Sequence, residues 1–369
     1  MIIVRYLYKE IAATMCASTG LLLLIFMSTQ FVHFLSMAAG GIFAVRILLH
    51  LMALQIPTLL ALLLPVGFYM SVLLAYGRLY ADREMVVLQG SGLSQARLIK
   101  FTLGFAAIVC LITFILNLWV SPLITIKQRI LFAEAKAAPL IETIAPARFF
   151  ATNDNKTVFY VESISRDRQQ MQHIFVADRD DPDNTNVWSV ITANKGFQYV
   201  NRQGEHFIVI ANGKRYQGLP GESNFQVDEF KRYYFRLSSA PPNVKLDEAT
   251  MSTWKLFHQF KSNANAIAEF QWRVSMPLSV IILALLAIPL SHTNPRQGRY
   301  AQLLPAIGIY IVYANLMFLT RSWIQSKVIP GWLGAWWLHL LALTLAFVLL
   351  ARQGRWWQLY KMGRLKVKV

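Results

Sequence analysis

The chain has 369 residues, of which 55% are hydrophobic and only 15% are charged. Soluble domains carry about a quarter charged residues, so the composition excludes an ordinary soluble domain and indicates a membrane protein. The formal net charge is +17, yet 16 of the 19 acidic residues lie between Lys127 and Arg273. The surplus positive charge therefore sits beside apolar runs, which favours membrane orientation over a nucleic-acid groove, and we expect no nucleic acid partner.

Six runs reach the roughly 20 apolar residues that a membrane-spanning helix needs. They are Ile11–Leu35, Leu48–Tyr76, Phe101–Val120, Val274–Ser291, Gln302–Thr320 and Trp332–Ala351. None of these runs contains Asp, Glu, Lys or Arg. The second run contains Pro57 and Pro65, which predict a tilted or kinked helix.

The basic residues of the short loops predict the orientation of these spans. The loops that share a side with both chain ends hold 14 Lys and Arg residues, whereas the opposite short loops hold only Arg46, Arg321 and Lys327. Lys and Arg are concentrated in cytoplasmic loops. Both termini are therefore predicted to be cytoplasmic, with residues 121–273 outside the cytoplasm.

Residues 121–273 contain short runs rich in Val, Ile, Phe and Tyr, which are typical of strands. The predicted strands are Thr157–Glu162, His173–Ala177, Val187–Thr192, Gly196–Val200 and His206–Ile210, with turns at Asp180–Asn186 and Asn212–Gly213. We expect eight or so strands, with Phe149, Phe159, Phe175 and Phe207 in the core. Helices are predicted before the strands, over Ile126–Ala138, and after them, over Ser252–Gln271.

These elements predict an α+β membrane protein. Residues 1–120 would form three transmembrane helices, residues 121–273 an inserted extracytoplasmic all-β domain, and residues 274–369 three more transmembrane helices with a basic tail. Cys16 and Cys110 both lie in apolar runs, and the seven histidines lack the spacing of metal ligands. We therefore expect neither a metal nor a cofactor.

The uncharged spans bear on the source of energy for any transport. Secondary transporters usually place ionisable residues at mid-membrane, whereas the polar groups here are Gln30, His33, Gln55, Asn117 and Asn315. The chain also lacks a phosphate-binding loop, because the nearest fragment has neither the glycine spacing nor the following Ser or Thr. Energy for transport would have to come from a partner.

The segment Leu79–Gln89 is predicted to be a short amphipathic helix, closed by Gly90-Ser91-Gly92. On such a helix Tyr80, Glu84 and Leu88 would share one face. One interpretation is that this helix docks in a groove of an ATPase. The other is that the helix lies among lipid head groups, with Glu84 solvated.

At these residues the sequence resembles a known family. The segment Leu79–Ser94 resembles the coupling segment of the YjgP/YjgQ permeases, the LptF/LptG family of lipopolysaccharide export. The segment Asn294–Arg299 and the opening Met1–Leu7 are similar to the LptF branch of that family. The resemblance covers the whole chain in layout. It implies a bacterial inner-membrane protein whose extracytoplasmic domain is a periplasmic β-jellyroll.

The resemblance also implies a function and partners. Members of the family are permease subunits, not enzymes, of an ABC exporter that extracts lipopolysaccharide from the inner membrane. An LptG-like sister permease, an LptB-like ATPase dimer and an LptC-like membrane-anchored jellyroll protein are the implied partners. The lipid would pass to a jellyroll bridge that leads towards the outer membrane.

The resemblance further implies roles for particular residues. Glu84 matches the acid that engages the ATPase, and Tyr80, Arg83, Leu88 and Gly90 complete the coupling segment.

For the substrate, Gln30 and His33 stand where relatives often carry basic residues, and His33 could still be cationic near a phosphate. Arg321 matches a basic family position and is a candidate phosphate contact, although it could also be a snorkelling anchor. Phe159 is expected to point inwards in the jellyroll, as core or as lipid lining.

Two rival functions come from other classes. A membrane-embedded lipid-modifying transferase would need a general base and usually a metal-binding acid at the membrane face, and the spans and short loops offer no such cluster. A sensor with a periplasmic ligand domain would usually carry a cytoplasmic output domain, and here only short loops and a tail are available.

Overall fold

A computed structural model describes residues 2–39, 47–137, 146–151, 157–165, 170–179, 187–200, 206–219, 221, 224–236, 247–259, 263–292 and 303–353. The helices are α1 (Ile2–Ala39), α2 (Leu48–Ala81), α3 (Glu84–Gly90), α4 (Gln95–Ile115), α5 (Ser121–Ala137), α6 (Thr253–His258), α7 (Ala264–Leu290), α8 (Leu303–Gln325) and α9 (Trp336–Gln353). A π-helical segment, Leu116–Val120, joins α4 to α5. Among the described residues six helices are long and apolar enough to cross a membrane, which confirms the six predicted spans.

The spans are α1, α2, α4 with its continuation, α7, α8 and α9. Spans that follow one another along the chain alternate in direction, so the start of α1 at Ile2 and the end of α9 at Gln353 fall at one membrane boundary. We call that boundary the terminal side of the protein. We call the opposite boundary the sheet side, because there the chain leaves the third span and continues to the strands.

The fourth span begins earlier than the sequence predicts. It starts at Ala264 rather than at Val274, because the Asn263 side chain caps the helix by accepting a hydrogen bond from the Asn265 N–H at 2.9 Å. The span therefore carries Glu269 and Arg273, and the expectation of an uncharged fourth span holds only for its apolar part.

The helix predicted over Ser252–Gln271 is also divided. Helix α6 is capped by Ser252 and ends at His258, and α7 begins separately.

Two compact units make up the chain. The first comprises Met1–Thr29, Ala53–Lys127 and Leu246–Val369, and the second comprises Gln30–Met52 and Gln128–Lys245. The core of the first unit is formed mainly by α2 and α7, whose inward side chains are buried. The smaller core of the second unit is the apolar face of a sheet.

Buried polar contacts join the last three spans to one another and join α2 to α8. His339 of α9 lies between the Tyr313 hydroxyl of α8 and the Ser275 hydroxyl of α7, at 2.9 Å from each. The Tyr69 hydroxyl of α2 donates to the Ala306 carbonyl of α8 at 2.9 Å. Each of these groups would cost free energy if it were buried without a partner, so these contacts fix the helix pairs.

The described strands form one antiparallel sheet in the order β1-β2-β3-β4-β5-β6. They are β1 (Arg148–Ala151), β2 (Thr157–Ile164), β3 (Gln170–Arg179), β4 (Trp188–Val200), β5 (His206–Gly218) and β6 (Phe225–Arg236). Every strand pairs with its neighbours in sequence, because short connections favour antiparallel hairpins. The predicted count was eight or so. The described strands number six and form a meander, not the Greek-key order usual in jelly rolls.

The predicted turn at Asn212–Gly213 lies inside β5 instead. Asn212 has a positive φ of 51°, but the pairing of β5 with β4 and β6 continues on both sides of it. A Cβ on Gly213 would lie 2.7 Å from the Thr192 carbonyl oxygen, so glycine allows the close approach of β4. The runs Val187–Thr192 and Gly196–Val200, predicted as two strands, are likewise one strand, β4.

The strands bury one face of the sheet. Phe159 is 1% exposed and packs with Val176 and Ile191, which confirms that Phe159 belongs to the core. The same expectation was wrong for Phe149, which is 71% exposed. Phe149 pairs with Tyr160, and successive side chains of a strand point to opposite faces, so Phe149 lies on the other face.

Candidate functional site

The segment predicted as one coupling helix is broken in the structure. Helix α2 continues to Ala81, and Arg83 then takes the left-handed conformation with φ 62° before α3 begins at Glu84. Tyr80 therefore belongs to α2, whereas Glu84, Leu88 and Gly90 belong to α3. The continuous face of Tyr80, Glu84 and Leu88 expected from the sequence is absent from this segment.

Helix α3 is tied to the first two spans. The Tyr6 hydroxyl of α1 donates a hydrogen bond to a Glu84 carboxylate oxygen at 2.6 Å. The Gln89 side chain donates to the Tyr80 hydroxyl at 3.3 Å, and Tyr80 itself is buried. Met85 is fully buried in the core that also contains Leu7 of α1. Helix α3 is thus packed on the terminal ends of α1 and α2.

The outer face of α3 is apolar. Val86 and Val87 are 60% and 70% exposed, and Arg83 and Gly90 are exposed at the two ends of the helix. Leu88 is half-buried against the core. Partly exposed Glu84 lies at the edge of this face, so an approaching partner would meet two valines beside one carboxylate.

An ion pair fixes the helix ends next to α3. Arg78 of α2 contacts Glu10 of α1 with 2.9 Å between Nη2 and Oε2. Together with the Tyr6–Glu84 bond, this pair means that α1 has two polar contacts to the α2–α3 corner.

At the sheet side, three charged residues lie in contact with one another. We call Glu269, Arg273 and Arg321 the ion cluster. One Glu269 oxygen accepts a hydrogen bond from Arg273 at 2.9 Å, and the other accepts one from Arg321 at 2.6 Å. The Glu269 side chain is 9% exposed and that of Arg273 is 3% exposed. Arg321 is 31% exposed and also lies over the Trp272 ring, 5.0 Å from its centroid. Two guanidinium groups and one carboxylate leave the cluster with a formal charge of +1.

Arg273 joins this cluster to the connector that follows the strands. Its Nη1 donates to the Met251 carbonyl at 2.9 Å and to the Thr253 hydroxyl at 3.1 Å. Its Nη2 donates to the carbonyl oxygens of Glu248 and Ala249. Because the guanidinium is buried and all its nitrogens donate, Arg273 positions residues 248–253 against α7.

Helix geometry gives the depth of the cluster. At about 1.5 Å per residue, Glu269 lies about 30 Å along α7 from Leu290, and Arg321 lies about 27 Å along α8 from Leu303. The hydrocarbon core of a bilayer is about 30 Å thick. The ion cluster therefore lies at the sheet-side boundary, where charged groups can reach water and lipid head groups, and not at mid-membrane.

The remaining predicted substrate residues lie in the second unit. Gln30 and His33 are one helical turn apart on α1, and His33 is exposed, with its ring 5.9 Å from that of Phe34. Phe159 lies on the buried face of the sheet. The LptF-like loop segment Asn294–Arg299 falls outside the described residues.

Sequence reasoning missed Tyr6, Glu269 and Arg273. The last two are four residues apart, the spacing of an ion pair on one helix face, and an earlier start for the fourth span would have revealed them. No local pattern links Tyr6 to Glu84, because 78 positions separate them and only the packing of α1 on α3 joins them.

Six spans, an inserted antiparallel sheet and a short packed helix at the terminal side define an integral membrane protein of the α+β class. A family model, the lipopolysaccharide export system permease LptF/LptG, matches residues 5–352. The LptF permease proteins of Escherichia coli K12 and of Shigella flexneri are each 30% identical to this chain over 354 residues, which is 95% of this chain and 94% of theirs. The uncharacterized protein RP871 of Rickettsia prowazekii is 28% identical over half of each chain.

The chain therefore belongs to the LptF/LptG family of lipopolysaccharide export permeases. It is an inner-membrane transport subunit, which confirms the family and the general function expected from the sequence.

The ion cluster yields a stability prediction. Replacing Arg273 with Met should lower the free energy of unfolding by about 3–5 kcal/mol, because it leaves Glu269 less paired and frees the buried carbonyls of the connector. Replacing Arg321 with Met should lower the free energy of unfolding by clearly less. Arg321 is partly exposed, and Glu269 would keep its ion pair with Arg273. Unfolding in mild detergent, together with hydrogen exchange over residues 247–253, measures both. Equal losses in the two variants would contradict the role given to Arg273.

Proposed function

We propose that this chain forms, with an LptG-like sister permease, the membrane part of an ABC exporter that lifts lipopolysaccharide out of the inner membrane. In this proposal the terminal side is cytoplasmic and the sheet side is periplasmic. The supporting observation is the asymmetry of Lys and Arg, 14 in the short loops and ends of the terminal side against three in the short loops opposite. The lipid would then pass over the periplasmic sheet towards a jellyroll bridge.

The energy would come from an LptB-like ATPase dimer on the cytoplasmic side. The apolar runs at the centres of the spans carry no ionisable Asp, Glu, Lys or Arg that could couple transport to an ion gradient. Helix α3 offers the ATPase an exposed apolar surface, Val86 and Val87, beside the Glu84 carboxylate. Such a short helix suits insertion into a groove of the partner.

The Tyr6–Glu84 bond would carry the motion of α3 into the first span. Glu84 would face the partner, and Tyr6, which binds Glu84, belongs to the first span. A rigid helix transmits displacement along its length. ATP-driven movement at α3 would thus reach the first span without any charge crossing the membrane.

Arg321 would contact a phosphate of the lipid head group. It is the partly exposed member of the ion cluster, and the cluster's formal charge of +1 favours an anion. If Arg321 turned towards a phosphate, Glu269 would keep its bond to Arg273 and would not be left unpaired. Gln30 and exposed His33 belong to the second unit and are proposed separately as substrate contacts.

The acyl chains would lie against the buried face of the sheet, which Phe159 lines with other apolar side chains. An LptC-like jellyroll protein would extend this surface by pairing with one of the sheet's edge strands. The six-stranded meander leaves β1 and β6 as its edges among the described strands.

The ion cluster does not support the alternative function, a membrane-embedded transferase. A general base needs a carboxylate that is free to accept a proton from the substrate. Both oxygens of Glu269 are already held by arginines, so this carboxylate is suited to structure and to charge balance.

The coupling proposal is tested by substitution of Glu84. The Glu84→Ala variant should retain several-fold less ATPase on co-purification in gentle detergent, because the partner loses its charged contact. The neighbouring exposed carboxylate supplies the control, and Asp82→Ala should leave association close to that of the parent protein. Equal association in both variants would count against Glu84, and recovery of the chain without ATPase or sister permease under several gentle conditions would contradict the exporter itself.

The link through Tyr6 is tested in the assembled complex. Tyr6→Phe removes the hydroxyl that binds Glu84, so the complex should assemble and hydrolyse ATP, but release several-fold less lipopolysaccharide per ATP. Tyr8→Phe is the matched control, because Tyr8 lies on the same helix and its ring packs on Phe105. An unchanged ratio of lipid released to ATP hydrolysed in Tyr6→Phe would refute the link.

The lipid route is tested by photo-crosslinking. A photoreactive residue in place of Phe159, on the buried face of the sheet, should capture lipopolysaccharide only when ATP is supplied. The same residue in place of exposed Glu162, on the opposite face of β2, should capture little under either condition. Equal capture at position 159 with and without ATP would contradict transport over this face.

A further inference from the structure

Helix α6 presents an exposed aromatic surface. Trp254 is 73% exposed and Phe257 is 55% exposed, and their rings stack with 6.3 Å between centroids. The His258 ring lies 4.9 Å from that of Trp254 and extends the same surface. Leu256 is fully buried and holds the helix on the protein, so the aromatic side chains face away from the core.

The contact of α6 with the third span gives its depth. The Thr253 hydroxyl donates to the Leu118 carbonyl at 2.7 Å. At about 1.5 Å per residue, the third span rises about 35 Å between Gln95, at its terminal end, and Leu118. This is close to the hydrocarbon thickness of about 30 Å, so the start of α6 lies at the sheet-side boundary of the bilayer. The next residue, Trp119, is itself 59% exposed.

The contact of α6 with the fourth span gives the same depth independently. The Phe257 ring lies 5.7 Å from that of Phe270 on α7. Phe270 is about 30 Å along α7 from Leu290, the terminal end of that span. Both ends of α6 are therefore at the level where acyl chains meet head groups.

Helix α6 is also held rigidly in this position. Ser252 caps it by accepting a hydrogen bond from the Lys255 N–H, and the buried Arg273 guanidinium binds the Met251 carbonyl and the Thr253 hydroxyl. The helix cannot turn its aromatic face towards the core without breaking these bonds. Two large aromatic side chains are thus fixed at a membrane boundary.

We propose that α6 is an interfacial helix whose Trp254 and Phe257 side chains insert into the phospholipid leaflet at the sheet-side boundary. Trp is enriched at this depth because its ring is apolar and its N–H is polar, and short amphipathic helices lie in the same plane. Lys255 is also exposed but lies on the opposite flank of the helix from Phe257, so in this proposal it would face water.

Through Arg273 this lipid-facing helix is bonded to the ion cluster of Glu269 and Arg321. The inference rests on the membrane spans alone and does not depend on the proposed export cycle.

Spin-label accessibility in the full complex, reconstituted in nanodiscs of phosphatidylethanolamine and phosphatidylglycerol, tests this assignment. Labels are attached to Trp254→Cys and Phe257→Cys, with Lys255→Cys as the matched control, after Cys16 and Cys110 are replaced by Ser. Labels at positions 254 and 257 should collide several-fold more with oxygen, which partitions into lipid, than with a water-soluble nickel chelate. The label at position 255 should show the reverse preference.

Two results would overturn the proposal. A label at position 257 that reacts with the nickel chelate as strongly as the label at position 255 would mean that the aromatic face lies in water. Shielding of positions 254 and 257 from both reagents would mean that a protein partner covers this face. A second measurement avoids labels: quenching of tryptophan fluorescence by brominated phospholipid should be smaller in Trp254→Phe than in the parent protein, and equal quenching would also refute the insertion.

Discussion

The structure depends on the cost of placing a charge in hydrocarbon without a partner. The apolar centres of the six spans carry no Asp, Glu, Lys or Arg, and the charged groups that touch the spans are gathered at the two membrane boundaries. At the terminal side Glu10 pairs with Arg78, and at the sheet side Glu269 is held by Arg273 and Arg321. In the part of the chain that the structure describes, the apolar centres of the spans lie between these two polar regions.

This separation fits the proposed function, in which the subunit would receive energy at the terminal side and handle a lipid at the sheet side. At the terminal side, α3 is packed on α1 and α2 and bonded to α1 through Tyr6. Under the proposed coupling, a push on α3 would act on the first span. At the sheet side, Arg273 fixes the connector that leads from the strands into α7, and it leaves Arg321 partly exposed beside it. Lipopolysaccharide carries phosphate and acyl chains, and this boundary offers a guanidinium group and apolar surfaces to match.

The sequence predicted the elements governed by local patterns. The six spans follow from runs of about 20 apolar residues. The errors arose where distant contacts decide the structure. The left-handed Arg83 divides the segment Leu79–Gln89, and pairing with β4 and β6 continues β5 through Asn212–Gly213. Tyr6–Glu84 could not be predicted, because it depends on the packing of residues far apart in sequence.

The most direct test of this account measures lipid release from proteoliposomes under two sources of energy. The assembled complex should release lipopolysaccharide to a soluble acceptor when ATP is supplied, and this chain alone should release none under an imposed proton or sodium gradient. Gradient-driven release by the purified single chain would contradict the account, because it would require a coupling group inside spans whose centres carry no charged side chain.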